Sequence, residues 1–215
     1  MNTAEILAHI DHTALKATVD LSTVKQLCAE ALQWHTASVC IPASYVQRMR
    51  QQFSQELRIC TVVGFPLGYC TQRVLALEAQ DAVLNGADEI DMVVNLGDVK
   101  NGDFDKVTAG IRAVRAVVGG KVLKVIVETC YLTQEEKIAL CGCVTDGGAD
   151  YIKTSTGFGT AGAKLEDIAL FKRYIGPQVR IKAAGGIRTR QAMEDFLAAG
   201  CDRIGTSSAA VLLQE

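Results

Sequence analysis

Short apolar runs rich in β-branched residues alternate along the chain with longer segments whose apolar residues recur every three or four positions. The runs predict strands, and the spaced segments predict helices. The eight expected strands are Ile10–Ala14, Ala37–Ile41, Arg58–Gly64, Glu89–Asn95, Val122–Glu128, the run ending at Lys153, the run carrying Lys182, and Arg203–Thr206. Because a helical segment follows each strand, the pattern predicts an α/β protein with a (β/α)8 TIM-barrel fold and residues 1–215 as a single domain. A doubly wound open sheet is the alternative, although it usually has fewer units.

Polar residues mark where several helices begin. Asp20 or Ser22 can cap the second helix, and Thr133 with Glu136 forms a capping box. A glycine-containing loop is expected after the fourth strand, before a helix over Phe104–Val118. The segment Ser207–Leu213 is expected to form a short last helix.

The six-residue pattern Gly-(Ala/Cys)-Asp-x-Ile-x recurs across a helix end and the following strand. Its three copies are Gly86–Asp91, Gly148–Lys153 and Gly200–Gly205. The sixth residue of each copy therefore has the same place in its βα unit, and alternate strands of a barrel contribute to the same inward layers. We expect Asp91, Lys153 and Gly205 to form one layer that holds an acid, a lysine and a gap. Lys182, on the strand between the last two, is expected to join them at the C-terminal mouth.

Composition and charge narrow the possible functions. The chain has 215 residues, of which 49% are hydrophobic and 21% are charged, and its formal net charge is -2. Such a balance gives no long-range attraction to nucleic acid or to anionic membranes. The sequence shows neither a membrane-spanning apolar stretch nor a signal-peptide pattern at its start, so a cytoplasmic protein is expected. The eight cysteines are dispersed without a Cys-x-x-Cys pair, which indicates free thiols, and the three histidines lack metal-ligand spacing, so no metal site is expected.

Two lysines in strand-like apolar runs suggest chemistry. Burial among apolar neighbours disfavours an ammonium group and lowers its pKa, which would make Lys153, or Lys182 in its similar setting, a nucleophilic amine at neutral pH. A neighbouring carboxylate, Asp91, could move protons during covalent amine catalysis. The alternative is a structural Lys-Asp-Lys ion network that fills the barrel without reacting.

The loops after the seventh and eighth strands predict an anion site. Ala184–Arg188 offers backbone N–H groups beside the Arg188 side chain, and Gly205–Ser208 offers hydroxyls and amides at the start of a helical segment. Phosphate sites of TIM barrels commonly form at these two positions. Gly157, in the turn after Lys153, could approach the same ligand.

Motifs spread over the whole chain resemble one enzyme family, the deoxyribose-phosphate aldolases. These motifs are Ile10–Leu15, Glu89–Asn95, Leu123–Thr129, Tyr151–Gly157 and Ile181–Arg188. The resemblance implies a class I aldolase that reversibly cleaves 2-deoxy-D-ribose 5-phosphate to D-glyceraldehyde 3-phosphate and acetaldehyde, in deoxyribose phosphate catabolism. It also implies small phosphorylated sugars and aldehydes as substrates, no metal or organic cofactor, and a homodimer as one option for assembly.

The resemblance further implies roles for individual residues. Lys153 would form the Schiff base, Lys182 would lower its pKa and share the proton relay, and Asp91 would shuttle protons with an ordered water. The residues implied at the mouth of the barrel are Asp11, Thr13 and Cys40. Those implied around the phosphate are Gly157, Gly185, Gly186, Arg188, Gly205, Ser207 and Ser208.

Two positions depart from the family pattern. Phe158 stands where some members have a phosphate-holding lysine, so phosphate affinity would depend on backbone amides and Arg188. The chain ends at Leu212–Glu215 without the terminal tyrosine that assists proton abstraction in many members.

Two other functions remain open from the residues alone: a different Schiff-base aldolase or phosphosugar isomerase on the same barrel, and a phosphosugar-binding barrel without catalysis.

Overall fold

A computed structural model describes residues 1–213, which form a closed barrel of eight parallel strands. Each strand pairs with its neighbours in sequence order, and the last pairs with the first, as expected for the (β/α)8 fold. The strands are β1 (Ile10–Thr13), β2 (Ser38–Ile41), β3 (Ile59–Val63), β4 (Glu89–Val93), β5 (Val122–Ile126), β6 (Tyr151–Lys153), β7 (Arg180–Ala184) and β8 (Arg203–Thr206). The prediction of a barrel rather than an open sheet is confirmed.

Helices surround the barrel. They are α1 (Thr3–Leu7), α2 (Leu21–Trp34), α3 (Ala43–Phe53), α4 (Gln72–Leu84), α5 (Leu96–Lys100), α6 (Phe104–Val118), α7 (Gln134–Asp146), α8 (Leu165–Tyr174) and α9 (Arg190–Ala199), with 3₁₀ turns at Thr129–Tyr131 and Ala209–Leu213. Asp20 caps α2 by accepting the Thr23 N–H, and the Thr133–Glu136 capping box is present at the start of α7. Among the helices described for residues 1–213, none is both long and apolar enough to cross a membrane.

Two predicted segments differ from the structure. The loop expected after β4 contains the short helix α5, because the Asn95 side chain accepts the Gly97 N–H at 2.9 Å and starts a helical turn there. The final helix expected from Ser207 is a 3₁₀ helix that begins at Ala209, since the Ser208 N–H donates to Oγ1 of Thr206 instead. Gln214 and Glu215, part of the segment expected to lack a terminal tyrosine, lie outside the described residues.

The aspartate of each copy of the repeat joins two neighbouring strands. Oδ2 of Asp88 accepts the N–H of Ile59 at 3.0 Å, and Oδ2 of Asp150 accepts that of Leu123 at 2.8 Å. Asp202 accepts the N–H of Ile181 at 3.0 Å in the same way. The glycine that opens each copy has a positive φ, from 75° to 107°, which ends the preceding helix and turns the chain into the strand. The repeat therefore sets the register of β4, β6 and β8, which carry its sixth residues.

The apolar core lies between the outer faces of the strands and the inner faces of the helices. Alternate strand residues such as Ile90, Ile152 and Ile204 point into it and are fully buried. The residues between them point into the barrel, where many are charged. Burial of this apolar layer stabilises the fold. The charged side chains inside the barrel lie apart from the apolar layer and form the candidate site.

Candidate active site

Charged side chains fill the barrel interior in two layers. The lower layer contains the fourth residues of the repeat, Glu89, Tyr151 and Arg203, all less than a tenth exposed. Nη1 of Arg203 lies 3.3 Å from Oε2 of Glu89, and its guanidinium is 5.7 Å from the centre of the Tyr151 ring. Asp11 accepts a hydrogen bond from Nη1 of Arg203, which links the layer to β1.

The upper layer brings Asp91, Lys153 and Lys182 into direct contact. Nζ of Lys153 and Nζ of Lys182 each lie 2.7 Å from the same oxygen, Oδ2 of Asp91. The two ammonium nitrogens therefore cannot be farther apart than twice this distance. β6 and β7 pair Lys153 directly with Lys182, so the two side chains leave neighbouring strands at the same level.

The gap expected at Gly205 is occupied by Lys182. A methyl group at Gly205 would lie 3.1 Å from Cε of Lys182 and 3.1 Å from Cβ of Ala184, which is tighter than ordinary van der Waals contact. The absence of a side chain at Gly205 thus lets the Lys182 chain cross the barrel to reach Asp91.

A lysine that the sequence reasoning missed completes the network. Nζ of Lys124, on β5, lies 2.8 Å from Oδ1 of Asp91, 2.5 Å from Oε2 of Glu89 and 3.6 Å from Oδ2 of Asp11. Lys124 interrupts the apolar run of its strand much as Lys153 does, and Glu89 stands two residues before Asp91 on one strand face. The sequence therefore shows the unusual positions of Lys124 and Glu89, but it does not show which carboxylates Lys124 contacts.

The electrostatic setting corrects one expectation. The lysines are surrounded by carboxylates rather than by apolar groups alone. Burial disfavours the charged form of Lys182, but Asp11, at 2.5 Å, and Asp91 outweigh it and raise the pKa of Lys182. Burial likewise opposes the charge of Lys124, yet Asp91 and its neighbours raise the pKa of Lys124 well above its usual value. The expectation that the pKa of Lys182 is lowered overall is therefore wrong, because the carboxylates outweigh the effect of burial.

Asp91 remains a carboxylate. Burial alone would raise its pKa, but Lys124, Lys153 and Lys182 together lower the pKa of Asp91 well below its usual value.

A second feature of this layer is a thiol pair, Cys40 and Cys60. The hydrogen bond from Cys60 lowers the pKa of Cys40, whereas burial raises that of Cys60 well above the usual value.

Donor atoms of Cys40, Cys60 and Asp91 come within 4.8 Å of one another, as do those of Asp11, Cys60 and Glu89. Such clusters resemble metal sites in residue type. Here each carboxylate already contacts an ammonium or guanidinium group within hydrogen-bonding distance. The charge of these carboxylates is therefore compensated by side chains of the chain itself.

A cavity of about 790 Å³ opens at the C-terminal mouth of the barrel. Lys153 lines it, whereas Asp91 and Lys182 lie beneath and do not. Most residues of the implied phosphate cradle also line it: Gly157, Gly185, Gly186, Arg188, Gly205 and Ser207. Gly185 and Gly186 both have a positive φ, 84° and 78°, a backbone conformation that glycine adopts without steric cost.

Three of the implied residues lie elsewhere. Asp11 is fully buried below Lys182, and Cys40 is buried beside Cys60, so neither lines the mouth as expected. Ser208 is not among the residues that line the cavity, because its backbone turns back to Thr206. Thr13, at the end of β1, does line the cavity.

Similar proteins were found by sequence and by structure. Residues 6–211 match a family model described as DeoC/LacD family aldolase. The chain is 57% identical over 214 residues to a deoxyribose-phosphate aldolase of Clostridium botulinum (strain Alaska E43 / Type E3), covering 100% of this chain and 97% of that protein. It is 52% identical to a deoxyribose-phosphate aldolase of Clostridioides difficile (strain 630), covering 97% and 95%. A solved structure of the tetrameric deoxyribose phosphate aldolase from Aeropyrum pernix superposes with a TM-score of 0.92 at 28% identity, covering 99% of this chain and 91% of that one.

Proposed function

Because the chain belongs to the DeoC/LacD family of aldolases and is similar over its full length to deoxyribose-phosphate aldolases, we propose that Lys153 is the amine that attacks the substrate. The reaction is the reversible cleavage of 2-deoxy-D-ribose 5-phosphate to D-glyceraldehyde 3-phosphate and acetaldehyde through a Schiff base. One observation carries the assignment: Lys153 faces the cavity while it shares one carboxylate oxygen with a second, buried ammonium group.

Charge pairing distinguishes the basic side chains of the interior. Inside the barrel, the described network contains the carboxylates of Asp11, Glu89 and Asp91 and four basic side chains, those of Lys124, Lys153, Lys182 and Arg203. Unbalanced charge is strongly unfavourable where water is excluded. The network is balanced when one of the four basic groups has lost its proton. Arg58 also lies 3.9 Å from Glu89, but it is largely exposed and therefore screened by solvent.

Lys153 has the fewest charge partners of the three lysines. Lys124 contacts three carboxylates and Lys182 contacts two, whereas Lys153 contacts only Asp91, through an oxygen already bound to Lys182. Arg203 is no candidate nucleophile, because arginine keeps its proton throughout the physiological range. Lys153 is therefore the lysine with the least charge pairing, and it is also the one that lines the cavity.

The arrangement then supports each step of the reaction. The Lys153 amine adds to the aldehyde carbon of the open-chain sugar, and the carbinolamine loses its hydroxyl as water to give a cationic imine. Protonated Lys182 is close enough to donate to the departing hydroxyl, and the Asp91 carboxylate stabilises the imine charge. The neutral Lys182 amine left by that donation accepts the C3 hydroxyl proton through water as the C2–C3 bond breaks, which releases glyceraldehyde 3-phosphate and leaves an enamine on Lys153. Lys182 then gives that proton to the enamine carbon, and addition of water, whose extra proton returns to Lys182, releases acetaldehyde and restores the amine.

The far end of the cavity suits the phosphate. The backbone amides of Gly185 and Gly186 and the hydroxyl of Ser207 line it, and the Arg188 side chain supplies positive charge. Phe158 lines the same cavity and packs edge-on against Phe65, at 5.4 Å between ring centres. Phosphate binding in this chain would therefore rely on backbone amides and on Arg188, and the Lys16 side chain lines the same cavity.

Borohydride trapping tests the assignment. Incubation with acetaldehyde and sodium borohydride is expected to add one ethyl group to the protein, and peptide mapping should find it on Lys153. The Lys153→Leu variant should fold, take up no label and lose cleavage of 2-deoxy-D-ribose 5-phosphate. Label on a different lysine, or cleavage retained by Lys153→Leu, would refute the assignment. Binding of the phosphosugar without any cleavage by the parent protein would favour a binding barrel.

We also propose a cellular setting. All eight cysteines are free thiols, which suits the reducing cytoplasm, and catabolism of deoxyribose phosphate would supply the substrate there. A homodimer is proposed on the family resemblance alone. Light scattering should then give twice the 23.0 kDa mass of the chain, and a monomer or tetramer would exclude it.

A further inference from the structure

Glu128 is a buried carboxylate that the proposed reaction does not use. It follows β5, it is 3% exposed, and within residues 1–213 its carboxylate has no ion-pair partner. Its backbone is left-handed, with φ 56° and ψ 66°. A non-glycine residue in this region is strained, and such strain persists only when surrounding contacts enforce it.

Most contacts of the Glu128 carboxylate lead to one loop, and the Cys130 thiol also lies 4.0 Å from its Oε1. The carboxylate accepts the Thr156 N–H at 3.2 Å and also accepts the Thr156 hydroxyl. Oγ1 of Thr156 in turn accepts the N–H of Phe158 at 3.0 Å. Gly159 packs so closely that a methyl group there would lie 3.1 Å from the carboxylate carbon of Glu128. We call Glu128 and Thr156 the loop clamp.

The clamped loop runs from the nucleophile to the phosphate end of the cavity. It begins directly after Lys153, and Thr156, Gly157 and Phe158 all line the cavity. Gly157 also packs against Gly185, since a methyl group at Gly185 would lie 3.6 Å from Cα of Gly157. A shift of the loop would therefore move one wall of the phosphate cradle while β6, with Lys153, stays within the barrel ladder.

We propose that Glu128 is a positioning residue that sets the preference for phosphorylated substrates. It acts through Thr156 by holding Gly157 and Phe158 against the phosphate. The carboxylate itself does not line the cavity and does not touch the reacting atoms. This inference rests on the proposed aldolase reaction, because it assigns the phosphate end of that same site.

The test compares 2-deoxy-D-ribose 5-phosphate with 2-deoxy-D-ribose in the parent and in Glu128→Gln. Gln keeps the shape, but its single acceptor oxygen replaces two that together accept from the Thr156 N–H, the Thr156 hydroxyl and the Cys130 thiol. We expect KM for the phosphorylated sugar to rise about tenfold, the equivalent of about one lost hydrogen bond, with kcat changed far less. kcat/KM for the unphosphorylated sugar should stay within about twofold, because that sugar has no phosphate for the clamped loop to contact. Equal losses for both sugars, or no rise in KM, would overturn the inference.

Two further variants separate positioning from stability. Asp167→Asn is the matched control, because Asp167 is an equally buried carboxylate that binds Nζ of Lys137 at 2.5 Å and does not line the cavity. It should lower the melting temperature and leave the ratio of the two kcat/KM values unchanged.

Thr156→Val should raise KM for the phosphorylated sugar as Glu128→Gln does. Thr156→Ser keeps the hydroxyl, so its KM should stay close to that of the parent. Additive effects of Glu128→Gln and Thr156→Val would contradict a shared clamp. A parent protein that cleaves neither sugar would refute the proposed function itself, a result distinct from an unchanged ratio.

Discussion

Replacement of Lys124 by methionine is expected to move the acid limb of the pH–rate profile to higher pH. The ammonium group of Lys124 is fully buried and lies 2.8 Å from Asp91 and 2.5 Å from Glu89. Without it, the carboxylates of Asp11, Glu89 and Asp91 outnumber the remaining buried cations as soon as any one of those cations loses its proton. The proposed reaction needs a neutral amine in this network, so activity should require a higher pH.

The size of the effect follows from the geometry. Lys124 and Lys153 bind the two oxygens of the Asp91 carboxylate. A separation of roughly 5–7 Å and an effective dielectric constant of about 20 give a repulsion of about 2–3 kcal/mol. Because one pH unit corresponds to about 1.4 kcal/mol, the acid limb should rise by about two units and activity near neutrality should fall about a hundredfold.

The assay is kcat/KM for 2-deoxy-D-ribose 5-phosphate as a function of pH, read by reduction of the acetaldehyde with a coupling dehydrogenase. Loss of one partner of a buried ion pair destabilises a protein by about 3–5 kcal/mol, so rates are measured well below the melting temperature of each variant. Glu89→Gln provides the decisive comparison. Alone, it removes a negative charge and should shift the acid limb to lower pH; combined with Lys124→Met, it should return the profile toward that of the parent. Coincident profiles for the three variants and the parent would refute the charge-balance reasoning.

Three other variants or modifications test separate parts of the structure. Gly205→Ala should lower kcat about tenfold or more, because the new methyl group displaces Lys182 by a few tenths of an ångström; unchanged steady-state kinetics would show that Lys182 adapts freely. Asp150→Asn should reduce the free energy of unfolding in urea by about 1–3 kcal/mol while kcat stays the same, since it weakens the bond that joins β5 and β6 but touches nothing in the cavity. Burial raises the pKa of Cys141 to about 12, so at mildly alkaline pH an alkylating reagent should modify the partly exposed Cys70 and Cys130 before Cys141, as mass spectrometry would show. Because the pKa of Cys141 is higher in the folded than in the unfolded chain, its contribution to stability should be complete below about pH 8.5 and lost as pH rises toward 12.

The residues of the site show which features can be predicted from local sequence patterns. The alternation of strands and helices, and the repeat ending at Asp91, Lys153 and Gly205, depend on periodicity and turn residues that act over a few positions. Those signals were sufficient to predict the barrel and to direct attention to Lys153. The electrostatic setting was not predicted: the pKa of Lys182 is raised because Asp11, far away in sequence, meets it inside the barrel.

The sequence by itself determined the order of the elements, the strand faces and the candidate lysines, because these depend on neighbours along the chain. Only the tertiary structure decided which charges meet, since closure of the barrel sets contacts between residues as far apart as Asp91 and Lys182. The same closure buries Asp11 and Cys40 below the mouth and brings Lys124 to Asp91. It also places Glu128 against Thr156. Charge compensation in a space without bulk water is a property of the assembled barrel, and no single strand encodes it.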